Sequence, residues 1–134
     1  MSAFQGQTQT EYFAANNITE LVIPESVVKI QGMAFNWIDN LKSVTLPNGI
    51  KVITEGAFGK CANLTTINLP TSLEEIRSGA FNNCGELANL TIPSSLTSVV
   101  FETDSIWGKP FGGCQKLPIK TRQTLERLGY KYGF

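Results

Sequence analysis

The side chains with chemistry to offer are few. Three cysteines, Cys61, Cys84 and Cys114, could act as nucleophiles, metal ligands or disulfide partners, and two carboxylate pairs, Glu74 with Glu75 and Glu102 with Asp104, could share acid–base work. The 134 residues contain no histidine. That removes Ser-His-Asp and Cys-His nucleophile systems, the HExxH zinc motif and any imidazole base. No Cys-x-x-Cys occurs and three thiols leave one odd, so the cysteines read as small buried apolar residues and not as a disulfide or zinc set. Glu74 and Glu75 are neighbours and would point to opposite faces of a strand. Glu102 and Asp104 share the stretch FETDSIWGKP with Trp107 and could face one cleft, but an acidic loop is ordinarily just solvated. The expectation is a noncatalytic chain with no metal site and no cofactor.

The spacing of the thiols leads to the elements that hold them. Cys61 and Cys84 lie 23 residues apart, and the same offset superimposes LPNGIKVITEGAFGKC (46–61) on LPTSLEEIRSGAFNNC (69–84). The chain divides into four coils: 18–40, 41–63, 64–86 and an interrupted fourth over 87–116. Their columns are Ile18/Leu41/Leu64/Leu87, Leu21/Val44/Ile67/Leu90, Ile23/Leu46/Leu69/Ile92, then proline at 24, 47, 70 and 93. After these come Val27/Ile50/Leu73/Leu96, Ile30/Ile53/Ile76/Val99, the Ala-Phe pairs at 34/35, 57/58 and 80/81, and Ile38/Cys61/Cys84. A coil this short cannot bury its own apolar side, whereas stacked copies turn each column into a continuous ladder of like side chains. Alternation over 64–69 marks a short strand with Ile67 and Leu69 inward, and Pro70 lacks the N–H needed to extend it. A second extended stretch is expected around Leu73 to Ile76, with Phe35, Phe58 and Phe81 stacked beyond it.

The bulk properties agree with one domain: 42% of residues are apolar, enough for a core without a membrane span. Eleven basic and eleven acidic residues cancel, so the chain lacks the basic field of a nucleic-acid binder. Lys116, Lys120, Arg122, Arg127 and Lys131 face only Glu126 in the last 19 residues, as suits a solvated helix with cations near its C-terminus. The opening MSAFQGQTQT has no basic stretch followed by an apolar one, so no signal peptide is expected in this chain and a cytoplasmic location stays open. Triplets at Asn17, Asn63 and Asn89 match the glycosylation pattern but also arise from the repeat itself.

The pattern L-x-x-I-x-L-P-x-S-L-x-x-I-x-x-x-A-F-x-x-C resembles the BspA-like class of leucine-rich repeats over residues 18–100, with departures at Ile38 and at the interruption from Val100 to Lys109. The resemblance implies a leucine-rich-repeat solenoid, β-rich and of the α/β class: a right-handed curved stack of about four 23-residue coils with a short C-terminal capping helix. It also implies a bacterial or protist surface protein, placed at the cell surface or secreted. Its implied role is protein recognition or adhesion, with a protein partner such as a host extracellular-matrix or surface protein. Self-association as a structural repeat segment is the alternative.

The chain falls into three regions. Residues 1–17 read as an N-terminal cap or truncated coil, because Tyr12, Phe13, Ala14 and Ala15 stand about one period before Phe35 to Ile38. Residues 18–116 hold the four repeats, with an insert at 101–107. Residues 117–134 read as a helical cap, with Thr121 as N-cap, Leu125 and Leu128 on one face and Gly129 as a left-handed stop. The candidate ligand-binding positions are the outward strand residues, expected on the concave face: Glu20, Val22, Ser43, Thr45, Thr66, Asn68, Asn89 and Thr91. A second candidate is the loop carrying Phe101, Glu102, Asp104 and Trp107, whose rings could anchor a partner or instead cover the open end of the last coil.

Overall fold

The columns read from the sequence become ladders in space. The computed structural model describes residues 17–134, so the expected truncated coil around Tyr12 to Ala15 lies outside the described residues. Strands β1 (Glu20–Val22), β2 (Ser43–Thr45), β3 (Val52–Ile53), β4 (Thr66–Asn68), β5 (Glu75–Ile76) and β6 (Ser98–Val99) form two three-stranded parallel sheets. One sheet is β1-β2-β4, in register Leu21↔Val44↔Ile67; the other is β3-β5-β6, with Ile53↔Ile76↔Val99. Every pairing has the 23-residue offset. Val44, Ile67, Ile53 and Ile76 turn inward and are fully enclosed.

The fourth coil contributes only a single bridge, Thr66↔Asn89, to the first sheet. Of the two positions expected on a strand there, Asn89 forms this bridge and Thr91 lies outside any strand. Leu90 O accepts the Thr121 hydroxyl at 3.2 Å in place of a strand N–H.

Between the strands and the return turns lies the core. Phe35, Phe58, Phe81 and Phe111 stack with centroid spacings of 5.4, 5.8 and 5.4 Å and interplanar angles of 15°, 8° and 18°. The fourth ring arrives seven residues late in sequence yet joins the column, because the insert loops out and leaves the return turn after it in place. Tyr130 then meets Phe111 edge-on at 5.7 Å.

The return turns are bonded as tightly as the strands. Along 33–37, alternate N–H groups donate to the next coil: Met33 to Glu55 O (2.9 Å), Phe35 to Ala57 O (2.9 Å) and Trp37 to Gly59 O (2.8 Å). The N–H groups between them close turns within the coil, Ala34 to Gln31 O and Asn36 to Met33 O. Aiming successive N–H groups at different partners needs left-handed residues at fixed positions, and φ is +62°, +64° and +68° at Met33, Gly56 and Gly79. A second such column is Trp37, Lys60, Asn83 and Gly113. Next to it, Asn36, Gly59, Asn82 and Gly112 alternate. The amides of Asn36 and Asn82 donate to Gly56 O (3.0 Å) and Lys109 O (3.1 Å), and a Cβ on Gly59 or Gly112 would lie 2.8 Å from them.

The helix α1 (Ile119–Arg127) begins after Pro118, whose ring gives no side-chain cap. Thr121, expected from the sequence to be the N-cap, therefore does not cap the helix; it sits one turn inside and its hydroxyl is aimed at Leu90. Gly129 does supply the left-handed stop, with φ +97°. Gly129 N–H donates to Glu126 O and Tyr130 N–H to Leu125 O, the paired bonds of a Schellman termination. Leu125 is enclosed and Leu128 half-buried. Tyr130 also serves the last coil, accepting Phe111 N–H at 3.3 Å and donating to Gly133 O at 2.6 Å. In earlier coils the corresponding Phe N–H finds the next coil's carbonyl.

Phe58 has ring neighbours on both sides. Phe58→Ala, which removes the ring stacked between Phe35 and Phe81, is expected to cost about 3–5 kcal/mol, measured by urea unfolding.

Candidate recognition surface

The alternation of the strands sets one row of side chains against solvent. Glu20, Val22, Thr45, Asn68, Asn89 and Thr91 are exposed and Ser43 and Thr66 are half-buried. Parallel pairing aligns Glu20, Ser43 and Thr66 in one row and Val22, Thr45 and Asn68 in the next. Two of these side chains are partly occupied by the fold. Asn68 Oδ1 accepts Leu46 N–H at 2.7 Å while its Nδ2 donates to Leu46 O at 3.2 Å, so this amide replaces the strand pairing that stops at Asn68. Asn89 Nδ2 donates to Thr66 Oγ1 at 3.1 Å.

Half of the eight positions come together in a groove. Thr66, Asn68, Asn89 and Thr91 line a hollow of about 670 Å³ with Leu69, Thr71, Pro118, Lys120 and Thr121. One wall is the strand face of the third and fourth coils, and the other is the start of α1. Glu20, Val22, Ser43 and Thr45 are not part of it; Val22 lines a separate recess of about 330 Å³ at the first coil with Leu21, Ile23, Val27 and Phe35. Lys120 and Thr121 belong to the groove only because Thr121 ties the helix to Leu90. Nothing in the spacing of the repeat places the helix there.

The insert places its two rings apart. Trp107 does not cover the open end of the last coil. Its ring lies back over the second coil, where a Cβ on Gly56 would sit 3.2 Å from Trp107 Cε3, and its backbone crosses the third, where a Cβ on Gly79 would sit 2.3 Å from Trp107 O. Two left-handed glycines thus form the seat for one tryptophan. The loop is fixed further by Glu102 N–H donating to the enclosed Ser78 hydroxyl at 2.9 Å. Phe101 packs edge-on against Tyr132 at 4.8 Å. Glu102 and Asp104 are exposed, and the apolar side chain offered to solvent is Ile106, 85% exposed.

The cysteines are free and buried. Each thiol donates to a phenylalanine carbonyl in the preceding coil: Cys61 to Phe35 O (3.2 Å), Cys84 to Phe58 O (3.1 Å) and Cys114 to Phe81 O (3.0 Å). Burial pushes Cys61 up to about 11 and Cys114 up to about 12, and raises Cys84 well above the ordinary thiol value. A thiolate there would lose its hydration and repel the carbonyl it now donates to, so these sulfurs are poor nucleophiles. Among the described residues no group of three or more His, Cys, Asp or Glu side chains is arranged to hold a metal ion, and no helix is long and apolar enough to cross a membrane.

Two measurements check these placements. The folded state holds Cys61 as the neutral thiol while the unfolded chain ionises near the ordinary value of 9.0. The stability this contributes is full below that value and is lost as pH rises towards about 11. Unfolding free energy should fall across that window, less steeply in Cys61→Ala. In a Trp37→Phe background the remaining tryptophan reports on the insert; Gly79→Ala is expected to unseat Trp107 and shift its emission to the red, whereas Gly85→Ala, whose Cβ would meet nothing nearer than Gly113 O at 3.8 Å, leaves the emission unchanged.

Comparison with known proteins places these ladders in context. The sequence profile of the family described as "BspA type Leucine rich repeat region (6 copies)" matches residues 7–130. The crystal structure of a leucine-rich repeat protein from T. pallidum (TpLRR) superimposes with a TM-score of 0.59 at 22% identity, covering 84% of each chain. A leucine-rich repeat protein from Bacteroides ovatus gives a TM-score of 0.60 at 32% identity over 67% of this chain, which spans 23% of that protein's length. No curated protein matches the chain. Leucine-rich repeats of this kind generally mediate protein–protein interaction. With the repeat profile covering nearly the whole sequence and the same ladders present in space, the chain belongs to the BspA-type leucine-rich repeat family.

Proposed function

We propose that the chain is a noncatalytic recognition module that binds a protein partner through its outward strand residues, centred on the groove between the third and fourth coils and α1. The observation that carries this reading is the convergence of Thr66, Asn68, Asn89 and Thr91 with Thr71 and Lys120 around one hollow of about 670 Å³. Its lining is hydroxyl, amide and one cation over an apolar floor of Leu69, Pro93 and Pro118. Such a surface fits an extended polar segment of a partner, held by hydrogen bonds and by one charge-assisted contact at Lys120.

The area limits the affinity. Four strand positions about 4.8 Å apart and about 16 Å long project roughly 300 Å². A standard interface takes about 800 Å² from each partner. A single copy therefore binds weakly, and useful adhesion comes from multivalent display. The family suggests a surface or secreted setting and a host extracellular-matrix or surface protein as partner; the free thiols are neutral on this point, being too buried to pair.

The test uses a panel of immobilised extracellular-matrix proteins and compares the monomer with an artificially multimerised form. Weak binding by the monomer, at least tenfold stronger when multimerised and lost in Thr71→Arg/Thr91→Arg, is the expected result; both side chains are exposed and line the groove. Binding that survives the double substitution moves the site off this groove. A concentration-dependent oligomer with no matrix binding, read by light scattering, would instead make the chain a self-associating structural segment.

A further inference from the structure

Of the ten asparagines in the chain, only Asn48 precedes a glycine. A side chain on the following residue crowds that residue's backbone nitrogen, and glycine removes the crowding. Asn48 is exposed, and Gly49 holds φ +111° with open space where a Cβ would stand. The Gly49 N–H is not loose, however. It donates to Ser72 Oγ at 2.9 Å, and the same hydroxyl donates to Ile50 O at 2.7 Å. A hydroxyl of the third coil therefore holds the one backbone nitrogen of the second coil that could attack its neighbour's side chain.

We propose that Asn48–Gly49 is a spontaneous deamidation site whose rate is set by Ser72. In the reaction the Gly49 nitrogen gives up its proton to solvent base and attacks Asn48 Cγ. The new N–Cγ bond closes a succinimide, the Cγ–Nδ2 bond breaks, and the side-chain nitrogen leaves as ammonia with a proton from solvent. One water then opens the ring at either carbonyl, leaving aspartate or isoaspartate. The balance is one water consumed and one ammonia released, with no oxidant, metal or cofactor. While Ser72 Oγ accepts the Gly49 N–H, removing that proton also breaks a hydrogen bond, and attack requires the turn to leave its bonded geometry.

The consequence falls on the repeat. The turn joins β2 to β3 between buried Pro47 and buried Ile50. A new carboxylate appears two residues before Ile50, and the isoaspartate branch adds a backbone methylene to a coil whose partners are fixed at a 23-residue offset. The extra length has no place between two anchored residues, so it is taken up by opening the Ser72 bridge. Age of the protein is thereby written into one turn. Asn68 offers a contrast: Leu69 comes after it and both ends of its amide are bonded to Leu46.

The experiment ages the chain in mildly alkaline buffer and maps peptides by mass spectrometry with isoaspartate-specific methylation. The expected result is conversion at Asn48 ahead of every other asparagine. Conversion should be several-fold faster in Ser72→Ala, provided circular dichroism shows it folded, and comparably fast in wild type held in urea. Equal rates in folded wild type and folded Ser72→Ala, or no conversion at Asn48 in urea, overturns the proposal. Should Ser72→Ala fail to fold, hydrogen exchange on wild type decides: the Gly49 amide must be protected, and a freely exchanging one overturns the gating by Ser72.

Discussion

Each coil of this protein leaves its backbone and its apolar side unfinished, and only the coil beside it can finish them. Strand N–H groups find carbonyls one period away, thiols find phenylalanine carbonyls in the preceding coil, and alternate turn N–H groups reach the next. An insertion or deletion within a strand or a return turn would shift these bonds out of register, because each depends on the same offset. The one long interruption is tolerated where it leaves the chain after β6 and rejoins before Phe111, so that the ring column is preserved. Strict length in the coils and freedom in the insert are two sides of one constraint.

The same constraint acts where the fourth coil meets the helix. That coil's backbone groups on the helix side need partners, since a buried polar group without one costs about 1–3 kcal/mol. Side chains take over the missing backbone: the Thr121 hydroxyl bonds Leu90 O and the Tyr130 hydroxyl receives the Phe111 N–H. The helix that brings Thr121 to that place also builds a wall beside the outward strand residues. Packing of α1 on the fourth coil and formation of the groove are thus the same event, which explains why the hollow lies beside the helix and not along the whole sheet.

Recognition and stability compete for the same few polar side chains. Asn68 stands on the exposed row, yet its amide repairs the pairing lost after β2, and Ser72 bonds two backbone groups of the second coil. Among the described residues the side chains of Thr71 and Thr91 make no such bond, which is what makes them the informative positions for binding. Exposure by itself does not distinguish these roles; the bonds do. The ion pairs of Arg77 with Glu55 and Glu75 are exposed and add little to either.

Read as a string, the chain determined its period, its strands, its inward columns, the buried thiols and the stack of phenylalanines, because each of these is a local pattern repeated at one fixed offset. The glycine after Leu128 likewise declared the helix end, since a left-handed turn is a property of a few adjacent residues. Tertiary structure alone decided the rest. Thr121 looked like an N-cap until packing turned its hydroxyl to Leu90, and Trp107 looked like a cover for the end of the last coil until Gly56 and Gly79, far away in sequence, left space for it. Nor could the partnership of Asn68 with Leu46, or of Lys120 with Thr91 in one groove, be counted off by period. A repeat fixes what every coil shares; departures from it, and the contacts between those departures and the stack, depend on which surfaces happen to have room.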